Sequence, residues 1–79
     1  MVNQARYEIR ALGTIPESAR WEFRRMEVED CSVETVVHGA FAGQSALASM
    51  LARLDVLGLH VVSYRRLHPQ LRRPRCSVD

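Results

Sequence analysis

Residues 42–58 read AGQSALASMLARLDVLG, and this stretch carries the strongest periodic signal in the chain. Its large apolar side chains recur at helical spacing: Leu47, Met50, Leu51, Leu54 and Leu57. That period places them along one stripe of an amphipathic helix, and Gly58 stands where a helix commonly ends. We therefore expect a helix over Ala42–Leu57 that packs along one side on a sheet.

On both sides of this helix lie segments in which polar and apolar residues alternate, a pattern typical of strands with one buried face. The expected strands are Tyr7–Leu12, Met26–Glu29, Glu34–Phe41 and Leu59–Leu67. A second, short helix is expected over Pro16–Arg25, because the N–H that a proline lacks would have no partner in the first helical turn.

This element order predicts an α+β fold of the ferredoxin-like βαββαβ type, with a four-stranded antiparallel sheet and two helices on one face. The expected strand order is 4-1-3-2, which places the first and third strands at the centre and leaves the second face of the sheet bare. We expect residues 1–67 to form the single domain and residues 68–79 to form a flexible basic C-terminal tail.

The charge of the 79-residue chain is unevenly distributed. Its basic side chains are all arginines, and within residues 1–67 they are balanced by acids, whereas Arg72, Arg73 and Arg75 give the tail a net positive charge. A dedicated duplex binder presents a basic face, so the neutral body argues against nucleic acid as the main partner. Weak nucleic-acid binding through the arginine-rich tail is the third functional alternative.

Location follows from features of the whole chain. Its N-terminus lacks the apolar core of a signal peptide, and its apolar stretches are shorter than a membrane span. Cys31 lies in an expected turn and Cys76 in a segment without periodicity, so we expect reduced thiols rather than a framework disulfide. Together these observations predict a cytoplasmic protein with no membrane partner.

Three residues are candidates for a ligand- or partner-binding site. His38 and Arg10 should share the bare face of the sheet, and Arg65 joins them if the last strand has the matching register. Two guanidinium groups and an imidazole would suit a small anionic ligand or the carboxylates of a protein partner. The alternative is a solvated polar sheet face. The sequence indicates no catalytic residue, metal site or cofactor.

Several short motifs resemble those of small uncharacterised proteins common in actinobacteria. They are Tyr7-Glu8-Ile9-Arg10, Thr35-x-Val37-x-Gly39, Gln44-x-Ala46-Leu47, Leu51-Ala52-Arg53-Leu54, Leu57-Gly58-Leu59 and Arg65-Arg66-Leu67. The resemblance covers Tyr7–Leu67 and implies no activity. In topology the expected fold is also similar to ACT-like regulatory modules and to small dimeric α+β barrels, and a shared fold does not imply a shared function.

We expect a non-catalytic homodimeric module that uses the bare sheet face for interaction or ligand binding. We expect self-association because so small a domain has a small core, and a second copy would cover the bare face. The alternative is an enzyme of the small dimeric α+β-barrel type, a cyclase, isomerase or monooxygenase acting on a hydrophobic ring substrate. In that case His38 would be the general base and Arg10 would stabilise an enolate-like charge.

Overall fold

The structure is a computed structural model, and it describes residues 4–67. Its elements in chain order are β1 (Ala5–Leu12), a 3₁₀ helix (Glu17–Phe23), β2 (Glu27–Asp30), β3 (Glu34–Phe41), α1 (Gln44–Val56) and β4 (His60–Arg66). The expected tail, residues 68–79, lies outside the described residues. None of the helices described is long and apolar enough to cross a membrane.

The four strands form one sheet in the order β2-β3-β1-β4, and each neighbouring pair is antiparallel. Strands β3 and β1 are therefore central, and β2 and β4 form the edges. This arrangement confirms a small α+β fold with an open four-stranded antiparallel sheet and two helices.

The first helix differs from the expectation. It is a 3₁₀ helix of 7 residues, shorter than the expected Pro16–Arg25. The N–H of Ala19 donates to the carbonyl oxygen of Pro16 at 2.9 Å, three residues earlier, which is the 3₁₀ pattern. Such tight turns serve as short connectors, and here one is enough to bury Ala19 and Phe23.

The second helix, α1, begins two residues later than expected and ends one residue earlier. Its Leu47 and Leu54 are buried in the core. Gly58 follows with φ +95°, a left-handed conformation that glycine adopts without strain. This turn lets the N–H of Leu59 donate to the carbonyl oxygen of Leu54 at 3.0 Å, which closes the helix and starts the path into β4.

The core lies between the sheet and the two helices. Its buried members are Ile9, Ala11, Ile15, Ala19, Phe23, Val37, Phe41, Leu47, Leu54 and Leu59. Odd-numbered residues of β1 and β3 supply the sheet's share of this core, because successive side chains of a strand point to opposite faces. The even-numbered residues of both strands therefore lie on the other face.

We call that second face the open face. The strand register assigns to it Arg6, Glu8, Arg10 and Leu12 of β1, Glu34, Val36, His38 and Ala40 of β3, Glu27 and Glu29 of β2, and His60, Ser63 and Arg65 of β4. Both helices described in residues 4–67 contribute to the core on the opposite side.

Two bidentate ion pairs attach the 3₁₀ helix to its neighbours on the helix side. Arg20 donates to both carboxylate oxygens of Asp30 at 2.8 and 3.0 Å, and Arg53 donates to both of Glu22 at 2.6 and 2.7 Å. These hydrogen bonds lower the pKa of Asp30 and the pKa of Glu22. The pairs are exposed, so they orient the helix more than they stabilise the fold.

One expectation is wrong. Cys31, which directly follows β2, is bonded in a disulfide, so its thiol is not reduced. The sequence pattern around Cys31 correctly indicated a turn, but a turn residue next to a strand end is also well placed to pair with a distant cysteine. Cys76 lies outside the described residues.

Gly39 gives a test of the core. It lies on the helix side of β3, and a Cβ built there would collide with the sulfur of Met26. We expect Gly39→Val to lower the free energy of unfolding by about 1–2 kcal/mol, because overpacking forces neighbours out of position. Denaturant unfolding measures the change. Ala40→Val, on the exposed next position of the same strand, is the control and should change little.

Candidate functional site

A row of titratable side chains crosses the whole open face. The register pairs Glu27 of β2 with His38 of β3, His38 with Glu8 of β1, and Glu8 with Arg65 of β4. Directly paired residues of antiparallel strands lie about 4.5–5.5 Å apart at Cβ, so each member of the row is within reach of the next. From β2 to β4 the row therefore consists of a carboxylate, an imidazole, a second carboxylate and a guanidinium group.

Glu8 is the centre of this row. Nε of Arg65 donates to Glu8 Oε1 at 2.8 Å, and a terminal nitrogen of Arg10 donates to Glu8 Oε2 at 3.3 Å. The Glu8 side chain is 3% exposed, whereas that of Arg65 is 62% exposed. A buried carboxylate needs such partners, because its desolvation is costly without them. Arg10 also contacts Glu34 at 3.4 Å.

His38 lies beside Glu8 in the row and is 0% exposed. Its Nε2 is 3.7 Å from Oε1 of Glu27, an ion-pair contact when the imidazole is protonated. Glu27 in turn lies 3.9 Å from a terminal nitrogen of Arg6. The imidazole is therefore enclosed between two carboxylates on neighbouring strands.

The structure places Arg10, His38 and Arg65 on one face and joins the two arginines through Glu8, which the sequence analysis did not select. The signal for Glu8 was present, because it lies two residues from Arg10 on the same strand and therefore on the same side. Its presence changes the chemistry of the site. Both guanidinium groups already bind a carboxylate, so they are less available to a small anion.

The open face is divided by charge. Its β2–β3 half carries the carboxylates of Glu27, Glu29 and Glu34, and its β1–β4 half carries Arg6, Arg10 and Arg65 together with Glu8. One half is therefore acidic and the other is basic. Such a face is complementary to a copy of itself turned by half a revolution.

The described residues offer no metal centre: among residues 4–67 there is no group of three or more His, Cys, Asp or Glu that could hold an ion. A cavity of about 260 Å³ lies at the ends of β1 and β4, lined by Gln4, Ala5, Arg6, Arg66 and Leu67. None of Glu8, His38 and Arg65 lines this cavity. A molecule bound in it would therefore not lie against these three members of the charged row.

Comparison with known proteins gives a family but no activity. A family model described as "Domain of unknown function (DUF8691)" matches residues 6–65. No curated protein matches the chain, and no solved structure matches it. The matched range includes every residue of the charged row.

Proposed function

Because this chain belongs to the DUF8691 family of domains of unknown function, we propose a function from its site: a non-catalytic homodimeric interaction module that associates through the open face. We also propose that its topology is ferredoxin-like and that it is related to small uncharacterised proteins of actinobacteria. The cytoplasmic location expected from the sequence stays a prediction.

The division of the open face into two charged halves carries this proposal. Consider two sheets stacked through their open faces about a two-fold axis parallel to the strands. That axis keeps the level of each residue along the strand and exchanges the two edges of the sheet. Arg65 of one copy, whose side chain is 62% exposed, then lies over Glu27 of the second copy, whose side chain is 43% exposed. The same contact occurs twice, as an isologous interface requires.

The size of the open face sets the expected affinity. Three strand spacings and about seven residues along each strand give a flat area of roughly 350–500 Å² per copy. This is below the roughly 800 Å² per partner of a standard stable interface, so the dimer should be weak and charge-dependent. We expect dissociation in the micromolar range, and salt should weaken the dimer.

A charge exchange tests the interface. Arg65→Glu and Glu27→Arg should each weaken association about tenfold, because each places like charges over one another. The double variant restores opposite charges in exchanged positions and should recover most of the wild-type affinity. Sedimentation equilibrium with a dithiol reductant present measures the dissociation constants, and thermal melting checks that each variant is folded.

The matched control is Arg25→Glu, which makes the same change in net charge as Arg65→Glu at an exposed position before β2. It should leave the dissociation constant unchanged. A wild-type chain that stays monomeric up to several hundred micromolar would refute the proposal. So would a double variant that associates no better than either single variant.

The enzyme alternative has less support. A general base must come within hydrogen-bond distance of its substrate, directly or through one water, and His38 is 0% exposed. Its contact with Glu27 resembles the pairing that orients a catalytic histidine, but the cavity described above does not reach it. The arginine-rich tail invoked for nucleic-acid binding lies outside the described residues.

A further inference from the structure

Strand β4 is an edge of the sheet. Among residues 4–67 it pairs with β1 and with no other strand. All of its residues are exposed except Val61, which is half-buried. An exposed strand edge is a surface to which another extended chain can add, because its outer N–H and C=O groups have no strand beside them.

The hydrogen-bond pattern shows which backbone groups of β4 point outward. The N–H of Leu67 donates to the carbonyl oxygen of Arg6 at 2.7 Å, so Leu67 is bonded towards β1. This orientation alternates along an antiparallel strand, which turns the N–H and C=O groups of Arg66 and Tyr64 away from β1. The bulge at Val62 ends the regular alternation. The outer edge therefore offers the backbone groups of these two residues to a further strand.

The side chains of this edge combine cations with an exposed aromatic ring. Strand β4 contains Arg65 and Arg66 and no acid. Arg66 pairs with Tyr7 and lies on the helix side of the sheet, whereas Arg65 pairs with Glu8 on the open face. Tyr64 lies on the helix side and is 52% exposed. A strand added along β4 would pack beside this ring and would meet a cation on each face.

We propose that the outer edge of β4 binds an extended, acidic segment of another protein by adding it to the sheet as a fifth strand. Directly opposite residues of paired strands share a face, so Arg65 and Arg66 match acids at two successive positions of the added strand. The outward C=O groups favour a polypeptide over a nucleic acid, because a phosphate has no N–H to donate to them. This site goes beyond the proposed homodimer and does not depend on it.

The same charges disfavour a second copy at this edge. Two β4 strands side by side would bring together four arginines and no acid of their own, and arginines at an edge oppose such pairing. The acidic strand β2 of a second copy would match by charge, but it has only 4 residues. Pairing β2 with β4 also joins unlike surfaces, so it would extend into an open chain of copies. An acidic segment of another protein meets neither obstacle.

Arg66 should contribute more to this binding than Arg65. Arg65 already donates through Nε to Glu8 at 2.8 Å, so its charge is partly compensated. Arg66 is exposed and lies on the helix side, away from the surface assigned to the second copy. Replacing Arg66 therefore tests peptide binding without changing the proposed dimer interface.

Fluorescence anisotropy with the full-length protein at low salt tests the site. The probe is an end-blocked, fluorescein-labelled peptide of about eight residues, made of valine and threonine with two successive glutamates at its centre. It should bind about tenfold more tightly than the same peptide with glutamines, and Arg66→Glu should weaken its binding about tenfold. Arg25→Glu makes the same charge change elsewhere and should leave binding unchanged. Failure of the glutamate peptide to bind up to about 1 mM would overturn the proposal.

N-methylated versions of the peptide test strand addition itself. Alternate N–H groups of an added strand face β4, so methylation of that half should abolish binding and methylation of the other half should leave it within about twofold. Equal effects of the two halves would mean attraction by charge alone and would overturn the proposal. Tyr64→Pro removes an outward N–H without removing a bond to β1, and should weaken binding more than Tyr64→Thr, which keeps that N–H. Thermal melting checks that both variants are folded.

The oligomeric state separates this site from the open-face dimer. Sedimentation equilibrium should give Arg66→Glu the same dissociation constant between copies as the wild type. Wild-type dimers or larger assemblies that Arg66→Glu disperses would assign this edge to a second copy and overturn the peptide site. Peptide binding with the expected N-methyl pattern by a wild-type chain that stays monomeric supports the edge site and refutes the homodimer.

Discussion

Replacing Leu54 with alanine is expected to lower the free energy of unfolding by about 3 kcal/mol. Leu54 is 0% exposed and belongs to the core beneath the sheet, where it joins Ile9, Val37 and Phe23. The truncation removes apolar contacts and leaves a cavity that the surrounding strands cannot close. A domain of this size has a total stability of roughly 4–12 kcal/mol, so the loss is a large share of it.

Denaturant unfolding followed by circular dichroism measures this change. Val56→Ala is the matched control, because Val56 lies on the same helix but is 70% exposed, and its truncation should cost less than about 0.5 kcal/mol. Equal effects of the two substitutions would mean that α1 does not present the Leu47–Leu54 stripe to the sheet.

Regular periodicity made the elements of the core predictable. The bounds of β3 agree with the expected Glu34–Phe41, because a run that contains the β-branched residues Thr35, Val36 and Val37 lies between a turn and a glycine-containing segment. The stripe through Leu47 and Leu54 likewise identified α1. The first helix was less predictable, because few apolar residues fix the pitch of so short an element, and a 3₁₀ turn buries Ala19 and Phe23 as well as an α-helix would.

The face of the sheet on which Arg65 lies could not be predicted by counting residues along β4. Val61 pairs with Ala11 on the helix side, and Arg65 is four residues later, so strict alternation would point it to the same side. The pairing shifts between Arg10 and Ala11, and the extra residue, Val62, reverses the alternation. A β-bulge thus turns Arg65 to the open face, beside Glu8. Bulges depend on strand pairing, which the sequence of one strand does not contain.

Cys31 shows a second limit of reading the sequence locally. A cysteine just after a strand gives no local pattern from which a disulfide could be predicted, because disulfide formation depends on how the fold brings distant segments together. The strand register adds only the place of Cys31, directly after β2 at an edge of the sheet.

Replacing Glu8 with alanine is the other large change that we expect, with a loss of about 2–3 kcal/mol in the free energy of unfolding. Glu8 accepts hydrogen bonds from both Arg10 and Arg65, and no other residue described joins these two side chains. Its removal takes the shared carboxylate away from Arg65 and Arg10, although Arg10 keeps its contact with Glu34. Denaturant unfolding at low salt measures the loss, and Glu17→Ala, an exposed acid in the 3₁₀ helix, is the control.

Arg65→Ala tests whether the burial of Glu8 is the cause. This substitution removes the donor 2.8 Å from Glu8 Oε1, and the Glu8 side chain, which is 3% exposed, keeps the hydrogen bond from Arg10. A buried carboxylate depends on the protein for its solvation, so the loss of this partner should lower the free energy of unfolding by about 1–3 kcal/mol. An Arg65→Ala variant as stable as the wild type would mean that Glu8 does not depend on this hydrogen bond.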